Sequence, residues 1–133
     1  MIKYSNAPTI VVEDDVLSPA LCERIISLAT NKGLGDNLII RDGKYIKDEA
    51  RTSKSSYFSY GDNDILDSVI EALSGMCGLP PTRLEPVSIQ RYQPGQEYKP
   101  HYDAFLPDEM EEMPKTAKVK QGGNRCVTMI AYL

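Results

Sequence analysis

The sequence predicts an α+β fold, because helical patterns come first along the chain and strand patterns follow. Two stretches in the first part carry an apolar residue every three or four positions, which indicates amphipathic helices. The last third is rich instead in β-branched and aromatic residues, which favour strands. The chain contains no repeat, linker or low-complexity tract, so we expect residues 1–133 to form a single domain.

The first elements have signals at both ends. Residues 8–13 predict a strand. Ser18 can cap the helix that follows, and Pro19 suits its first position. That helix ends where Gly33 can adopt a positive φ. Its apolar face consists of Leu21, Ile25, Leu28 and Ala29.

The middle of the chain predicts a hairpin and a second helix. The hairpin spans 36–47, because Asp42-Gly43 between two β-prone runs is typical of a two-residue turn. The stretch 51–60 is polar and partly extended. The second helix covers 63–77, with Asp62 or Asn63 as its cap. Its apolar face consists of Ile65, Leu66, Val69, Ile70, Leu73 and Met76.

The last third predicts three strands and one long polar loop. The strands are 85–92, 97–105 and 126–133, and Pro94-Gly95 forms a turn between the first two. Residues 106–124 form the loop. Its acidic run, interpreted as solvated, consists of Asp108, Glu109, Glu111 and Glu112.

Composition excludes several classes of protein. The net charge of −4 argues against a broad nucleic-acid interface, which needs clustered Lys and Arg. No apolar run approaches the ~18 residues of a membrane span. The cysteines, Cys22, Cys77 and Cys126, are interpreted as buried thiols in a reducing compartment, so a cytoplasmic location is expected.

The one histidine, His101, lies two positions before Asp103. Residues two apart on a strand share a face, so the two side chains are expected to project together. An imidazole beside a carboxylate makes two thirds of the 2-His-1-carboxylate triad that binds Fe(II). A His-x-Asp pair also arises by chance or as a surface pair, so the surrounding residues are needed to distinguish these possibilities from a metal site.

Further motifs surround this pair in a fixed order. They are Tyr92, Gly95, Gln96, Tyr98, Pro100-His101-Tyr102-Asp103, Gly123-Asn124-Arg125, Thr128 and Tyr132-Leu133, preceded by Arg51-Thr52-Ser53 and by Leu17, Ser18 and Cys22. In this order they resemble the prolyl 4-hydroxylase family of Fe(II)- and 2-oxoglutarate-dependent dioxygenases. The resemblance covers nearly the whole chain.

The resemblance implies a fold and a reaction. The family fold is a double-stranded β-helix, or jelly roll, with N-terminal helices packed on it. Residues 1–84 would be its helical and strand support region, and 85–133 the first part of the β-helix core. The implied activity is hydroxylation of peptidyl proline in a peptide or protein substrate, with Fe(II), 2-oxoglutarate and ascorbate (vitamin C) as cofactors.

The resemblance also implies roles for individual residues. His101 and Asp103 would be metal ligands. The 2-oxoglutarate pocket would contain Tyr92 and Tyr132, together with Thr128 and Ile130, which share a strand face with Tyr132. Substrate contacts would come from Arg51, Tyr98 and Arg125. Alternatively, the tyrosines are ordinary sheet aromatics, Arg125 is in a structural ion pair, and Arg51 lies in a solvated loop. The acidic loop would be a lid over the site.

The sequence departs from the family in its metal ligands. The family needs a second histidine and, a few positions later, a lysine that pairs with 2-oxoglutarate. Both are expected in strands after Leu133, so we expect the C-terminal strands to be missing. The chain would then be a fragment, the interpretation we favour, or a chain that a second polypeptide completes, or an inactive remnant. Alone, the 133 residues are expected to bind iron weakly and to lack turnover. The alternatives are a same-fold oxygenase with another substrate and a non-catalytic binding module.

Overall fold

A computed structural model describes residues 2–6, 8–41, 44–112 and 123–133. Helices and antiparallel strands are mixed in these residues, which confirms the α+β class. The elements are β1 (Ile2–Asn6), β2 (Thr9–Val12), α1 (Pro19–Lys32), β3 (Gly35–Asp36), β4 (Ile39–Arg41), β5 (Lys44–Ile46), β6 (Lys54–Phe58), α2 (Asp64–Cys77), a 3-10 turn (Pro81–Arg83), β7 (Val87–Arg91) and α3 (Pro107–Glu112).

Antiparallel pairing organises the strands into one three-stranded sheet and two hairpins. The sheet has the order β3-β6-β7, and its central strand β6 pairs with β7 from Lys54↔Arg91 to Phe58↔Val87. Strand β1 pairs with β2, and β4 pairs with β5, so the hairpin predicted over 36–47 is confirmed. Its turn residues, 42–43, lie outside the described residues. The jelly roll stays a prediction, because these three small sheets do not by themselves form one.

The helix ends follow the capping signals in the sequence. Ser18 Oγ accepts a hydrogen bond from the Leu21 amide at 3.3 Å, and Gly33 has φ 96° after the last turn of α1. Asn63, one of the two predicted caps of α2, accepts from the amides of Ile65 and Leu66 at 3.0 and 3.4 Å. Both helices therefore begin and end as local chemistry dictates.

The hydrophobic core lies between the two long helices and one face of the sheet. Ile25 of α1, Phe58 of β6 and Leu66 of α2 are buried together, with Val69 beside them. Ile89 of β7 packs against the same cluster. The apolar faces predicted for the helices are confirmed at their centres. Met76 was wrongly predicted to be part of the core face: it is 43% exposed in the last turn of α2.

A buried polar network lies on the opposite face of the sheet. Asn37, only 2% exposed, donates to the carbonyl and to the Oγ of Ser53 at 3.0 and 2.8 Å. The Tyr57 hydroxyl donates to Asn37 Oδ1 at 2.9 Å. The network joins Asn37, which follows β3, to Ser53, which precedes β6. Ser53 lies two residues after Arg51. Satisfied buried polar groups of this kind fix the local path of the backbone.

Three predicted elements differ from the structure. Residues 97–105 make only an isolated bridge at Tyr98 rather than a strand, and 126–133 form neither helix nor strand. A strand depends on ladder hydrogen bonds from a neighbour, and none of the described strands pairs with these segments. The predicted loop instead begins with a helix, α3, because Pro107 and two acidic residues in the first turn suit a helix N-terminus. The rest of that loop, 113–122, lies outside the described residues.

The cysteines and the helices bear on two further predictions. All three cysteines are free thiols. Cys22 and Cys77 are half-buried, but Cys126 is exposed, so the prediction of a buried thiol is wrong at that position.

Among the helices that the structure describes, none has the length and apolar character needed to cross a bilayer.

Candidate functional site

Backbone pairing between two distant segments holds the residues that precede His101. The Thr52 amide donates to the Glu97 carbonyl at 3.0 Å, and the Lys99 amide donates to the Ala50 carbonyl at 2.9 Å. Between them Arg51 and Tyr98 form an antiparallel bridge. The His-x-Asp pair is thereby fixed beside the start of β6, although it does not lie on a strand as predicted.

Ring stacking sets the orientation of the His101 imidazole. Its ring lies on the Tyr98 ring with centroids 3.5 Å apart and an angle of 18° between the planes. The Arg51 guanidinium lies 4.7 Å from the centroid of the same tyrosine, within cation–π range. Arg51 is half-buried, and its Nε has no hydrogen-bond partner. The solvated-loop interpretation of Arg51 is therefore wrong.

His101 and Asp103 meet side by side. The His101 Nδ1 is 2.8 Å from the Lys99 carbonyl. Because a carbonyl oxygen only accepts, Nδ1 must carry a proton and donate it. The other ring nitrogen, Nε2, is 3.2 Å from Asp103 Oδ1. The pair that the sequence singled out thus brings one imidazole nitrogen and one carboxylate oxygen next to each other.

Residues 124–128 clasp the segment that carries Asp103. The Asn124 side chain accepts from the Phe105 amide at 2.9 Å and donates to the Phe105 carbonyl at 2.7 Å. Arg125 Nη1 donates to the Asp103 carbonyl at 3.0 Å. The Thr128 hydroxyl donates to Asp103 Oδ2 at 2.6 Å. Asn124 was not among the site residues predicted from the sequence: it was named only as part of the motif Gly123-Asn124-Arg125, with no contact assigned to it.

Arg125 is in the ion pair that the sequence left as an alternative. Its Nε and Nη2 donate to the two carboxylate oxygens of Glu85 at 2.5 and 2.7 Å. The hydrogen bond to Glu85 raises the pKa of the Arg125 guanidinium. The same guanidinium lies 4.3 Å from the centre of the Phe105 ring. Glu85 also was not predicted, because the two partners lie far apart in sequence.

Replacing Glu85 with glutamine should lower the free energy of unfolding by about 0.5–1 kcal/mol, since the pair is bidentate but only half-buried. Urea unfolding of the wild type, Glu85→Gln, Arg125→Gln and the double variant gives the coupling energy directly. Strictly additive single effects would show that the Glu85–Arg125 ion pair does not contribute to stability.

The residues predicted for the 2-oxoglutarate pocket do not meet in an enclosed cavity within the described part of the chain. The Tyr92 hydroxyl donates to Gln90 Oε1 at 3.0 Å. Ile130 and Tyr132 are 72% and 92% exposed. Of the four, Thr128 alone contacts the His101–Asp103 pair in the contacts described above. The pocket roles of the other three remain predictions.

Among the residues that the structure describes, the pair has no third acidic, imidazole or thiol ligand nearby. Within the described ranges, no three or more His, Cys, Asp or Glu side chains come together as a metal site would require. His101 and Asp103 therefore provide one nitrogen and one oxygen donor, and the described residues add no third ligand of these types.

Comparison with known proteins gives a consistent class. No protein-family model matches the chain. Three relatives from Arabidopsis thaliana illustrate the similarity. Probable prolyl 4-hydroxylase 8 is 30% identical over 127 residues, which are 95% of this chain and 41% of the relative. Prolyl 4-hydroxylase 1 is 30% identical over 97% of this chain and 44% of the relative. Prolyl 4-hydroxylase 5 is 31% identical over 95% and 41%.

The fold and the site define an α+β protein with a paired imidazole and carboxylate. By sequence it is a prolyl 4-hydroxylase-like chain over nearly its whole length, so the resemblance inferred from the motifs is confirmed. The chain spans about two fifths of the length of these curated relatives.

Proposed function

We propose that this chain forms part of an Fe(II)- and 2-oxoglutarate-dependent dioxygenase that hydroxylates peptidyl proline. The observation that carries the proposal is the His101–Asp103 pair, whose donor atoms lie 3.2 Å apart in a prolyl 4-hydroxylase-like sequence. The names of the relatives favour proline over the other substrates considered for this fold.

The donor atoms fit a ferrous ion. Metal bonds to imidazole nitrogen and carboxylate oxygen are about 2.1 Å long, so two neighbouring ligands at a right angle stand about 3.0 Å apart. The observed 3.2 Å between His101 Nε2 and Asp103 Oδ1 is close to that distance. With Nδ1 protonated against the Lys99 carbonyl, Nε2 is the nitrogen left to bind a cation. Imidazole and carboxylate are two of the three ligands of non-haem Fe(II) oxygenases.

The third ligand has to come from outside these residues. The sequence contains one histidine, so a second imidazole is not available within the 133 residues. We therefore propose that the 133 residues alone bind Fe(II) weakly and do not turn over substrate. When bound, Fe(II) with 2-oxoglutarate supplies O₂-dependent oxidation of a C–H bond, and ascorbate keeps the iron reduced.

The neighbouring side chains suit a peptide substrate. Tyr98 lies beside the metal ligands with its ring in contact with both Arg51 and His101, so its ring edge, rather than its faces, is the part proposed to contact the peptide. Arg51, half-buried against the same ring, stays a proposed substrate contact through the family resemblance. Arg125 was also predicted to contact substrate, but three of its nitrogens already donate within the protein, so we assign it to holding Asp103 instead.

Two groups of predicted residues enter the proposal through the family resemblance. Tyr92, Tyr132 and Ile130 are proposed to contact 2-oxoglutarate once the pocket is complete. The acidic helix α3 follows the ligand segment directly and is proposed as part of a lid over the site.

The test is an assay of the complete protein that contains this sequence, with a proline-rich peptide, Fe(II), 2-oxoglutarate and ascorbate. We expect 4-hydroxyproline in the peptide and one succinate for each hydroxylation. The 133-residue chain assayed alone should give neither product. Succinate formed with hydroxylation of a different residue would indicate a same-fold oxygenase with another substrate.

A non-catalytic binding module is the second candidate function, because the sequence contains one histidine. It predicts peptide binding without succinate formation at any iron concentration. Isothermal titration of the same peptide against the complete protein, run beside the turnover assay, separates the two functions.

A further inference from the structure

The two carboxylate oxygens of Asp103 have different partners. Oδ1 lies 3.2 Å from His101 Nε2, whereas Oδ2 accepts a hydrogen bond from the Thr128 hydroxyl at 2.6 Å. The short hydroxyl–carboxylate distance is typical of a charge-assisted hydrogen bond. The carboxylate is therefore held in one rotation about its last side-chain bond, with a single oxygen turned to the imidazole.

This asymmetry matters for the number of open metal positions. A carboxylate can bind a cation through one oxygen or through both. A facial triad needs one oxygen only, because the positions opposite the three protein ligands must stay open for co-substrate and O₂. A hydroxyl that occupies Oδ2 favours binding through Oδ1 alone.

We propose that Thr128 is a positioning residue, whose hydroxyl holds Asp103 so that Oδ1 alone binds Fe(II) beside His101 Nε2. The proposal rests on the function proposed above, which makes His101 and Asp103 the metal ligands. It differs from the sequence prediction, which assigned Thr128 to the 2-oxoglutarate pocket. Thr128 acts through the Asp103 carboxylate and does not touch the metal.

Contacts within the protein already place Thr128 beside Asp103. Two hydrogen bonds between Asn124 and the backbone of Phe105, and one from Arg125 to the Asp103 carbonyl, align residues 124–128 with residues 103–105. A β-branched side chain then has few rotamers in which to place its hydroxyl. The hydrogen bond therefore does not have to order a free chain.

Two variants separate the hydroxyl from the shape of the side chain. Thr128→Val keeps the branched shape and removes the donor, and Thr128→Ser keeps the donor. In the complete protein under anaerobic conditions, we expect Thr128→Val to weaken binding of Co(II), a spectroscopic substitute for Fe(II), about 10-fold or more. The visible absorption of bound Co(II), which reports its coordination number, should change as well. Thr128→Ser should retain affinity and spectrum within about twofold of the wild type. Circular dichroism and the unfolding midpoint of each metal-free variant verify folding.

The outcomes distinguish this proposal from the function on which it rests. If His101→Ala and Asp103→Ala lose Co(II) binding while Thr128→Val keeps wild-type affinity and spectrum, the ligand assignment stands and the Thr128 proposal is overturned. Equal losses for valine and serine would also overturn it, because they indicate packing rather than the hydroxyl. A Thr128→Val protein with normal Co(II) affinity but weaker 2-oxoglutarate binding would overturn the proposal and favour the sequence prediction, in which Thr128 lies in the 2-oxoglutarate pocket. Co(II) binding that survives His101→Ala would refute the ligand assignment itself.

Discussion

Replacing His101 or Asp103 with alanine is expected to abolish peptide hydroxylation by the complete protein and to weaken Fe(II) binding by more than about 100-fold. Removal of a mere outer partner of a ligand costs about 10- to 100-fold, and the loss of a ligand should exceed that range. Anaerobic titration with Fe(II), followed by the succinate assay, measures both quantities on the same preparation.

Tyr102 supplies a matched control, because it lies between the two ligands in sequence and is 83% exposed. Tyr102→Ala should leave Fe(II) affinity within about twofold of the wild type. Asp103→Asn is the sharper test of the ligand, since it keeps the shape of the side chain and an oxygen acceptor but removes the charge. Full turnover in Asp103→Asn or His101→Ala would refute the metal site and, with it, the proposed function.

The paired ligands could be predicted from the sequence because they lie two residues apart. Their support could not be predicted in the same way. The clasp comes from Asn124, Arg125 and Thr128, about twenty residues further along, and Arg125 is held in turn by Glu85, forty residues before it. The sequence singled out Arg125 and Thr128 through the resemblance but assigned them other contacts. Contacts over such separations depend on the fold, and single residues of these types carry no pattern that reveals them.

The same contrast runs through the secondary structure. Helix α1, with its cap at Ser18 and its end at Gly33, was predicted because its signals lie within one short segment. The predicted strand over 126–133 was wrong for the described structure, although its residues are β-prone, because strand formation depends on a partner elsewhere in the chain. Helix α3 was missed because its acidic first turn was interpreted as solvation rather than as a favourable helix start.

Truncating Leu66 to alanine is expected to lower the free energy of unfolding by about 2–5 kcal/mol, the largest stability effect of the changes considered. Leu66 is 1% exposed and lies in the cluster with Ile25 and Phe58, where helix α2 meets helix α1 and the sheet. Truncating the Leu66 side chain leaves a cavity, and the two helices and the sheet around it cannot all move inward to fill it. Urea unfolding of the complete protein, monitored by far-ultraviolet circular dichroism, gives the value.

Met76 in the same helix gives the matched control, since it is 43% exposed and Met76→Ala should cost less than about 0.5 kcal/mol. The core lies on the face of the sheet opposite the buried Asn37 and Ser53. Ser53 lies two residues after Arg51, which forms the bridge with Tyr98. Folded Leu66→Ala protein should therefore bind Fe(II) like the wild type at temperatures well below its unfolding midpoint. A large loss of Fe(II) affinity in the folded variant would show that helix packing and the His101–Asp103 pair are coupled across the sheet. A stability change below 1 kcal/mol would mean that α2 is not packed as described.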